Sequence, residues 1–298
     1  LVALYEITGD ARYRTAATQV RKAFDTYPRN PDGSFWHNPR LTGEMWVDGV
    51  FMGQIFLIRY GKSIADSQYC FDEATRQITL FARHAHKGDS GLYFHAWAHR
   101  PDLAMVVPDR KIPWADAKTG LSSEVWGEGL GWYALVVVET LAVLPPGHPR
   151  RAEVLEIYTR LAGALKRTQD QKSGGWFDVV DKGDSPGNWI DSSASAMFTY
   201  ALQRGIDLGL HTPGDYGQVV RRGYQAITGN AKINEQGLLD LYSACDGVCV
   251  QATYADYVNY KKSVNAKEAV AGFLWATTAV ERPALERRRP AVTPGKEH

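Results

Sequence analysis

The sequence predicts an all-α fold, a toroid of helical hairpins, and three observations carry that prediction. Apolar residues recur at helical spacing along almost the whole chain. Amphipathic segments alternate with segments that are apolar or small on most sides. A short junction of glycine, apolar residues and then a polar group recurs, as in "DGSFWHN" and "SGGWFDV". Such regular alternation is typical of an internal repeat, with inner helices lining a central cleft.

The outer helices are predicted from one-sided apolar stripes with charged residues opposite. Such stripes lie at about 10–27, 66–85, 154–165 and 216–227. The inner helices are predicted where nearly every position is apolar or small, at about 45–60, 123–144, 191–208 and 266–281.

With a fragment at 1–8, these segments make nine predicted helices, whereas a closed ring of six hairpins needs twelve. We therefore expect the natural protein to continue upstream of Leu1, and this chain to lack the first helices of the ring. We predict one domain over residues 1–283 and a flexible C-terminal tail over 284–298.

The segment from about His86 to Ser122 has no convincing helix or strand pattern. It is rich in aromatic and titratable residues, including His95, Trp97, His99, Trp114 and Asp116. A long irregular segment inside a compact domain is usually functional or disordered. We interpret this one as a lid or wall over the cleft.

Composition excludes several classes of partner. The net charge of +1 provides no field to attract nucleic acid or an anionic membrane. No window approaches the ~18 apolar residues of a membrane-spanning helix. The nine Trp and fifteen Tyr residues favour a sugar-binding cleft, because such clefts use aromatic rings as flat stacking surfaces. We predict no nucleic-acid partner and no membrane partner, and the compartment stays open.

We predict no cofactor and no metal site. His95 and His99 have the spacing of two metal ligands on a helix, but their segment does not read as helix. No glycine-rich loop follows a strand, and no serine lies in a nucleophile elbow. Cys245 and Cys249 are close enough in sequence for a local bridge, but free thiols are favoured for them and for Cys70.

Three Trp-x-acid triplets open inner helices, and in a toroid their acidic residues, Asp48, Glu128 and Asp191, would converge at one end of the cleft. The aromatic residues expected around them are Trp46, Trp126, Trp132 and Trp189. Helix capping is the alternative role for an acid near a helix start. For Asp191, followed by "SSAS", the sequence favours capping at least as much as a chemical role. For Asp48, followed by Gly49, a chemical role is favoured.

Four ordered segments, "MWVDGVFMG", "WGEGLGWYAL", "DSSASAMFTYAL" and "VNAKEAVAGFLWATTAVE", resemble glycoside hydrolase family 105, the unsaturated rhamnogalacturonyl hydrolases. These are close relatives of the family 88 unsaturated glucuronyl hydrolases. The resemblance runs from Leu1 to about Pro283 and implies an (α/α)6 barrel.

The resemblance also implies a reaction and its site. The family removes the 4,5-unsaturated uronic acid that polysaccharide lyases leave at a non-reducing end, by hydration of the C4–C5 double bond. The implied partner is an oligosaccharide with this terminal sugar, of the pectin or rhamnogalacturonan type. By motif position Asp48 is the acid that protonates C4. The resemblance implies that His95 positions substrate or water and that Trp126 and Trp132 are sugar platforms. The convergence of the helix starts predicts substrate-binding roles also for Trp46, Glu128, Trp189 and Asp191.

One departure from the family concerns the substrate carboxylate. The family commonly has Arg and Asn where this chain has Glu128 and Leu130. An acid at position 128 should repel a uronate. Either the substrate differs or another cation binds it, with Arg100, Arg110 and Lys111 as the candidates.

Two alternatives to hydration remain from the sequence. The first is an inverting glycosidase on the same fold, which would pair Asp48 with Asp191 or Glu128. The second is an inactive carbohydrate-binding toroid.

Overall fold

The structure is a computed structural model that describes residues 1–107 and 112–288 of the chain. It confirms the predicted alternation of outer and inner helices. The outer helices are α2 (Ala11–Ala23), α4 (Ser67–Ala85), α6 (Arg151–Thr168) and α8 (Pro213–Gly229), and a short α1 (Val2–Thr8) precedes them. The inner helices are α3 (Val47–Ser63), α5 (Gly127–Val143), α7 (Ser192–Asp207) and α10 (Lys267–Arg288), and a short α9 (Tyr254–Val258) precedes the last of them.

Ten short strands pair into five antiparallel two-stranded ladders within the described ranges. The ladders join β1 (Glu44–Trp46) to β2 (Ala96–Ala98), β3 (Val106–Val107) to β4 (Ile112–Pro113), β5 (Trp176–Phe177) to β6 (Ile190–Asp191), β7 (Ala231–Ile233) to β8 (Leu239–Leu241), and β9 (Ala244–Cys245) to β10 (Lys262–Ser263). The prediction that 86–122 lacks strands was therefore wrong. Strands of two or three residues are too short to give a detectable alternation of apolar and polar side chains.

The inner helices pack side by side in the order α3, α5, α7, α10, while α4, α6 and α8 cover them from outside. Their close approach requires small residues. A Cβ atom on Gly131 of α5 would lie only 2.7 Å from the sulfur of Met197 on α7. The outer helices supply the rest of the core, as where the Tyr133 hydroxyl donates to the Ile78 carbonyl at 2.8 Å. This packing fixes the N-terminal ends of α3 and α5 relative to each other.

Helix α10 continues past the predicted domain end at residue 283, to Arg288. The rest of the predicted tail, 289–298, lies outside the described residues. Across the described ranges, none of the helices combines the length and apolar character needed to cross a bilayer.

Candidate active site

The β1–β2 ladder brings Asp48 to His95. In its register Trp46 pairs with Ala96, and the Val47 N–H donates to the His95 carbonyl at 3.1 Å. Asp48 lies two residues after the end of β1, in the first turn of α3, and His95 directly precedes β2. Two residues far apart in sequence therefore meet because both lie at the same end of this antiparallel ladder.

A chain of side chains runs inward from the Asp48 carboxylate. His95 Nε2 lies 3.1 Å from Asp48 Oδ2, and His95 Nδ1 lies 2.9 Å from the Tyr257 hydroxyl. That hydroxyl also accepts from the Gln251 backbone N–H at 3.2 Å, and burial raises the pKa of Tyr257 well above its usual value. Tyr257 therefore keeps its hydroxyl hydrogen and donates it to His95 Nδ1. We accordingly assign the imidazole hydrogen to Nε2, which faces Asp48.

Trp46 forms one wall beside Asp48 and is held from behind. Its indole N–H donates to Glu44 Oε2 at 2.7 Å, and the Trp114 indole donates to the same oxygen at 3.1 Å. Burial raises the pKa of the Glu44 carboxyl in spite of these hydrogen bonds. The His37 ring stacks on Trp46 with 4.3 Å between centroids. Burial lowers the pKa of His37, which favours a neutral imidazole at this wall.

Asp48 lines a cleft of about 490 Å³ between the starts of α3, α5 and α10. Its side chain is 21% exposed. Glu128 and Trp132 reach the same cleft from α5, as the sequence predicted for the Trp-x-acid arrangement. Glu128 itself is only 1% exposed, and its Oε2 has no hydrogen-bond partner among the described residues.

Burial, followed by the nearby Asp191 and Glu268 carboxyls, raises the pKa of Glu128 well above its usual value. Burial and the neighbouring carboxyls thus favour the neutral acid form of Glu128 over the repelling anion that the sequence indicated.

The structure does not bring Asp191 to the cleft, where a substrate-binding role was predicted for it. Asp191 is the fully buried N-cap of α7. Its carboxylate accepts from the backbone N–H groups of Ser193, Ala194 and Cys245 and from the Ser193 hydroxyl. The capping alternative, which the sequence left open, accounts for all of these contacts. For the same reason Asp191 cannot serve Asp48 as the second carboxylate of an inverting pair.

Two of the four tryptophans predicted to bind substrate also lie outside the cleft. Trp126 is 1% exposed and packs against His95, with 4.5 Å between ring centroids. It supports the Asp48–His95 pair from within the core and offers no face to a sugar. Trp189 packs beside Tyr257 in a small cluster behind the cleft, and the Lys262 ammonium lies 4.2 Å above its ring. Trp46 and Trp132 are the two that line the cleft.

The cleft also contains residues that the sequence analysis did not single out as site residues. Lys267 and Glu268, at the start of α10, form one side of it, and His37 forms another. The sequence held a signal for His37, because "DGSFWHN" repeats the junction that also delivers His95. No such signal marks Lys267 or Glu268, since two charged residues at a helix start resemble an ordinary solvated end.

Of the three cations predicted as candidates to bind the substrate carboxylate, one lies within the described residues. Arg100 is exposed, pairs with Asp102 at 2.6 Å and does not line the cleft. Arg110 and Lys111 lie outside the described residues.

The cysteines are free thiols, as favoured from the sequence. His95 and His99 flank the strand β2, so the helical spacing of a metal pair does not apply to them. Among the described residues no group of three His, Cys, Asp or Glu side chains could hold a metal ion.

Comparison with known proteins places this site in a family. The model of Glycosyl Hydrolase Family 88 matches residues 1–284. Protein Atu3128 of Agrobacterium fabrum (strain C58 / ATCC 33970) is 31% identical over 194 residues, 64% of this chain and 78% of that protein. The unsaturated 3S-rhamnoglycuronyl hydrolase of Alteromonas sp. (strain LOR) is 26% identical over 187 residues, 61% of this chain and 40% of that protein.

Solved structures agree. A family 105 glycoside hydrolase from C. acetobutylicum ATCC 824 superposes with a TM-score of 0.86 at 28% identity, covering 94% of this chain and 77% of that one. An unsaturated glucuronyl hydrolase from Bacillus sp. GL1, with a TM-score of 0.69 at 16% identity over 97% of this chain and 74% of that one, shares the fold. These likenesses confirm the predicted helical toroid and the resemblance to families 105 and 88. The chain is a glycoside hydrolase and belongs to glycosyl hydrolase family 88.

Proposed function

We propose that this chain removes a 4,5-unsaturated uronic acid from the non-reducing end of lyase-generated oligosaccharides of the pectin or rhamnogalacturonan type. The observation that carries the proposal is the Asp48 carboxyl, which is partly exposed in the cleft with one oxygen held 3.1 Å from His95 Nε2. Its other oxygen, Oδ1, has no hydrogen-bond partner among the described residues. The names of the relatives, which include unsaturated rhamnoglycuronyl and glucuronyl hydrolases, support the same class of substrate.

The reaction assigned to Asp48 is the hydration of a vinyl ether. Protonated Asp48 gives its proton to C4, and the oxygen of a water molecule bonds to C5 while a water proton returns to the carboxylate. C5 then carries both a hydroxyl and the ring oxygen. This hemiketal opens to a ketone, and the hemiacetal left at C1 releases the remaining sugar. One residue thus serves as acid and then as base.

His95 has a positioning role in this scheme. With its hydrogen on Nε2, the imidazole donates to Oδ2 and holds the carboxyl in one orientation. The free oxygen is left to exchange the proton with C4 and water. Trp46 and Trp132 provide the aromatic surfaces for the sugar ring, and both line the cleft.

The test is an absorbance assay on unsaturated disaccharides prepared with rhamnogalacturonan and glucuronan lyases. Hydration destroys the conjugated double bond, so the ultraviolet band should fade with the wild type and persist with Asp48→Asn. Asp89→Asn, on an exposed turn outside the cleft, is the matched control and should fade like the wild type. A band that persists with every substrate would overturn the proposal and leave a sugar-binding toroid.

An inverting glycosidase stays as a second candidate, because Glu128 lines the same cleft as Asp48. In that reaction both carboxyls act on a saturated glycoside, so Glu128→Gln would abolish turnover as fully as Asp48→Asn. Hydration requires only Asp48. Cleavage of a saturated uronide, with inversion at the anomeric carbon, would favour this second candidate.

A further inference from the structure

The described lining of the cleft offers little positive charge to a negatively charged substrate. Three carboxyl groups line it, those of Asp48, Glu128 and Glu268, and Lys267 is the one Lys or Arg lining it within the described ranges. His37 is held neutral by burial, which lowers its pKa. A uronate brings one further carboxylate. Among the described residues that line the cleft, the full positive charge that can bind it lies at the start of α10.

The Lys267 side chain is available for this task. It is 88% exposed at the edge of the cleft, and its Nζ lies 3.0 Å from Glu268 Oε1. The hydrogen bond to Glu268 raises the pKa of Lys267, so the amine remains an ammonium. Its position as the first residue of α10 adds the partial positive charge of a helix N-terminus.

Glu268 is the counterpart that keeps this ammonium in place. Its side chain is only 14% exposed, and its Oε2 is buried without a hydrogen-bond partner among the described residues. A lysine ammonium has three donors, of which Glu268 uses one at Oε1. The remaining donors can contact a carboxylate in the cleft while the pair with Glu268 stays formed.

We propose that Lys267 binds the carboxylate of the substrate uronate, and that Glu268 positions Lys267 in the free enzyme and weakens its attraction for that carboxylate. The inference rests on the proposed function and names the residue that distinguishes an acidic from a neutral terminal sugar. Lys267 is a specificity-determining residue in this view and takes no part in the proton transfer of Asp48.

The test compares an unsaturated uronyl disaccharide with its methyl ester, which keeps the vinyl ether and loses the charge. Lys267→Met should raise KM for the acid by about tenfold or more, the size of one charge-assisted hydrogen bond, and leave KM for the ester unchanged. The kcat values should change little. Lys267→Arg keeps the positive charge, so its KM for the acid should lie close to that of the wild type. Because salt screens charge attraction, KM for the acid should rise with salt more steeply in the wild type than in Lys267→Met.

Glu268→Gln should change KM for the acid in the opposite direction. It frees the ammonium from its anionic partner, so KM for the acid should fall by a few-fold while KM for the ester does not change. Equal changes for acid and ester, or no change in Lys267→Met, would overturn the proposal and assign the carboxylate to another cation. If the wild type turns over neither compound, the proposed function fails separately. Calorimetric affinities of the acid and the ester for wild type and Lys267→Met then decide the role of Lys267.

Discussion

The Trp46–Asp48 and Trp189–Asp191 segments have the same residue pattern at the start of an inner helix, yet their acids have opposite surroundings. Helix α3 begins at Val47, so Asp48 lies inside the first turn, with its carboxyl in the cleft and His95 as its partner. Helix α7 begins only at Ser192, so Asp191 is the N-cap and its carboxylate is occupied by backbone N–H groups. The position of an acid relative to the first helical residue therefore decides whether it supports the helix or faces a ligand.

Glu128 extends this comparison. Helix α5 begins at Gly127, so Glu128 has the same position as Asp48 and also lines the cleft. It differs from Asp48 in burial, with almost no exposed surface against 21% for the Asp48 side chain. Equal positions on two helices thus give one carboxyl that is accessible to water and one that burial shifts towards its neutral form.

The largest expected effect is on activity, which should depend on the accessible Asp48 and not on the capping Asp191. Asp48→Asn should lower kcat by about 10³-fold, because the amide cannot deliver the proton. Asp191→Asn should keep kcat near the wild-type value, since an asparagine oxygen can still accept from the start of α7. The measurement is the rate of fading of the ultraviolet band under substrate saturation. Equal losses in both variants would mean that Asp191 takes part in the reaction in spite of its burial.

The next prediction concerns stability, for which the larger effect is expected at Asp191 rather than at Asp48. Asp191→Ala removes the cap of α7 and leaves the buried N–H groups of Ser193, Ala194 and Cys245 without their acceptor. We expect a loss of about 3 kcal/mol in the free energy of unfolding, measured by urea titration. Asp48→Ala, which removes no cap, should lose less than about 1 kcal/mol. A larger loss in Asp48→Ala would contradict the assignment of the two acids.

Much of this fold could be predicted from the sequence, because helix periodicity is a local property. The four inner helices, and the place of Asp48 at the cleft, could be predicted from such local patterns. The role of Asp191 was not, because Trp189–Asp191 and Trp46–Asp48 read alike and the helix start differs only through the strands that precede it. The contribution of Lys267 and Glu268 was hidden for another reason. Their place in the cleft results from packing of α10 against α7, which no local pattern reports.

A third prediction tests whether Glu128 is stored as a neutral acid. Below its ordinary pKa of 4.5, Glu128 is protonated in both the folded and the unfolded chain. Above it, the unfolded carboxyl ionises, whereas burial and the neighbouring Asp191 and Glu268 keep the folded one protonated. The wild type should therefore lose stability relative to Glu128→Gln by about 1 kcal/mol per pH unit, until the pH passes the raised pKa.

Urea unfolding of wild type and Glu128→Gln across pH 4 to 8 measures this difference. Glu235→Gln, on an exposed turn, is the control for removing one glutamate. A difference between wild type and Glu128→Gln that does not grow with pH would contradict the neutral form. It would then make Glu128 an anion in the cleft and leave Lys267 to offset its charge.

The smallest expected effect concerns the support of Asp48 by α9. Tyr257→Phe removes the hydroxyl between His95 Nδ1 and the Gln251 N–H, so the imidazole loses the group that fixes its tautomer. We expect kcat to fall about fivefold, the value of one hydrogen bond of about 1 kcal/mol, with KM nearly constant. The matched control is Tyr254→Phe, which removes from the same helix a hydroxyl that donates to the carbonyls of Ser185 and Pro186. If both variants lost activity equally, α9 would support the cleft through packing alone, and the orientation of Asp48 would depend on the β1–β2 ladder without help from the tautomer of His95.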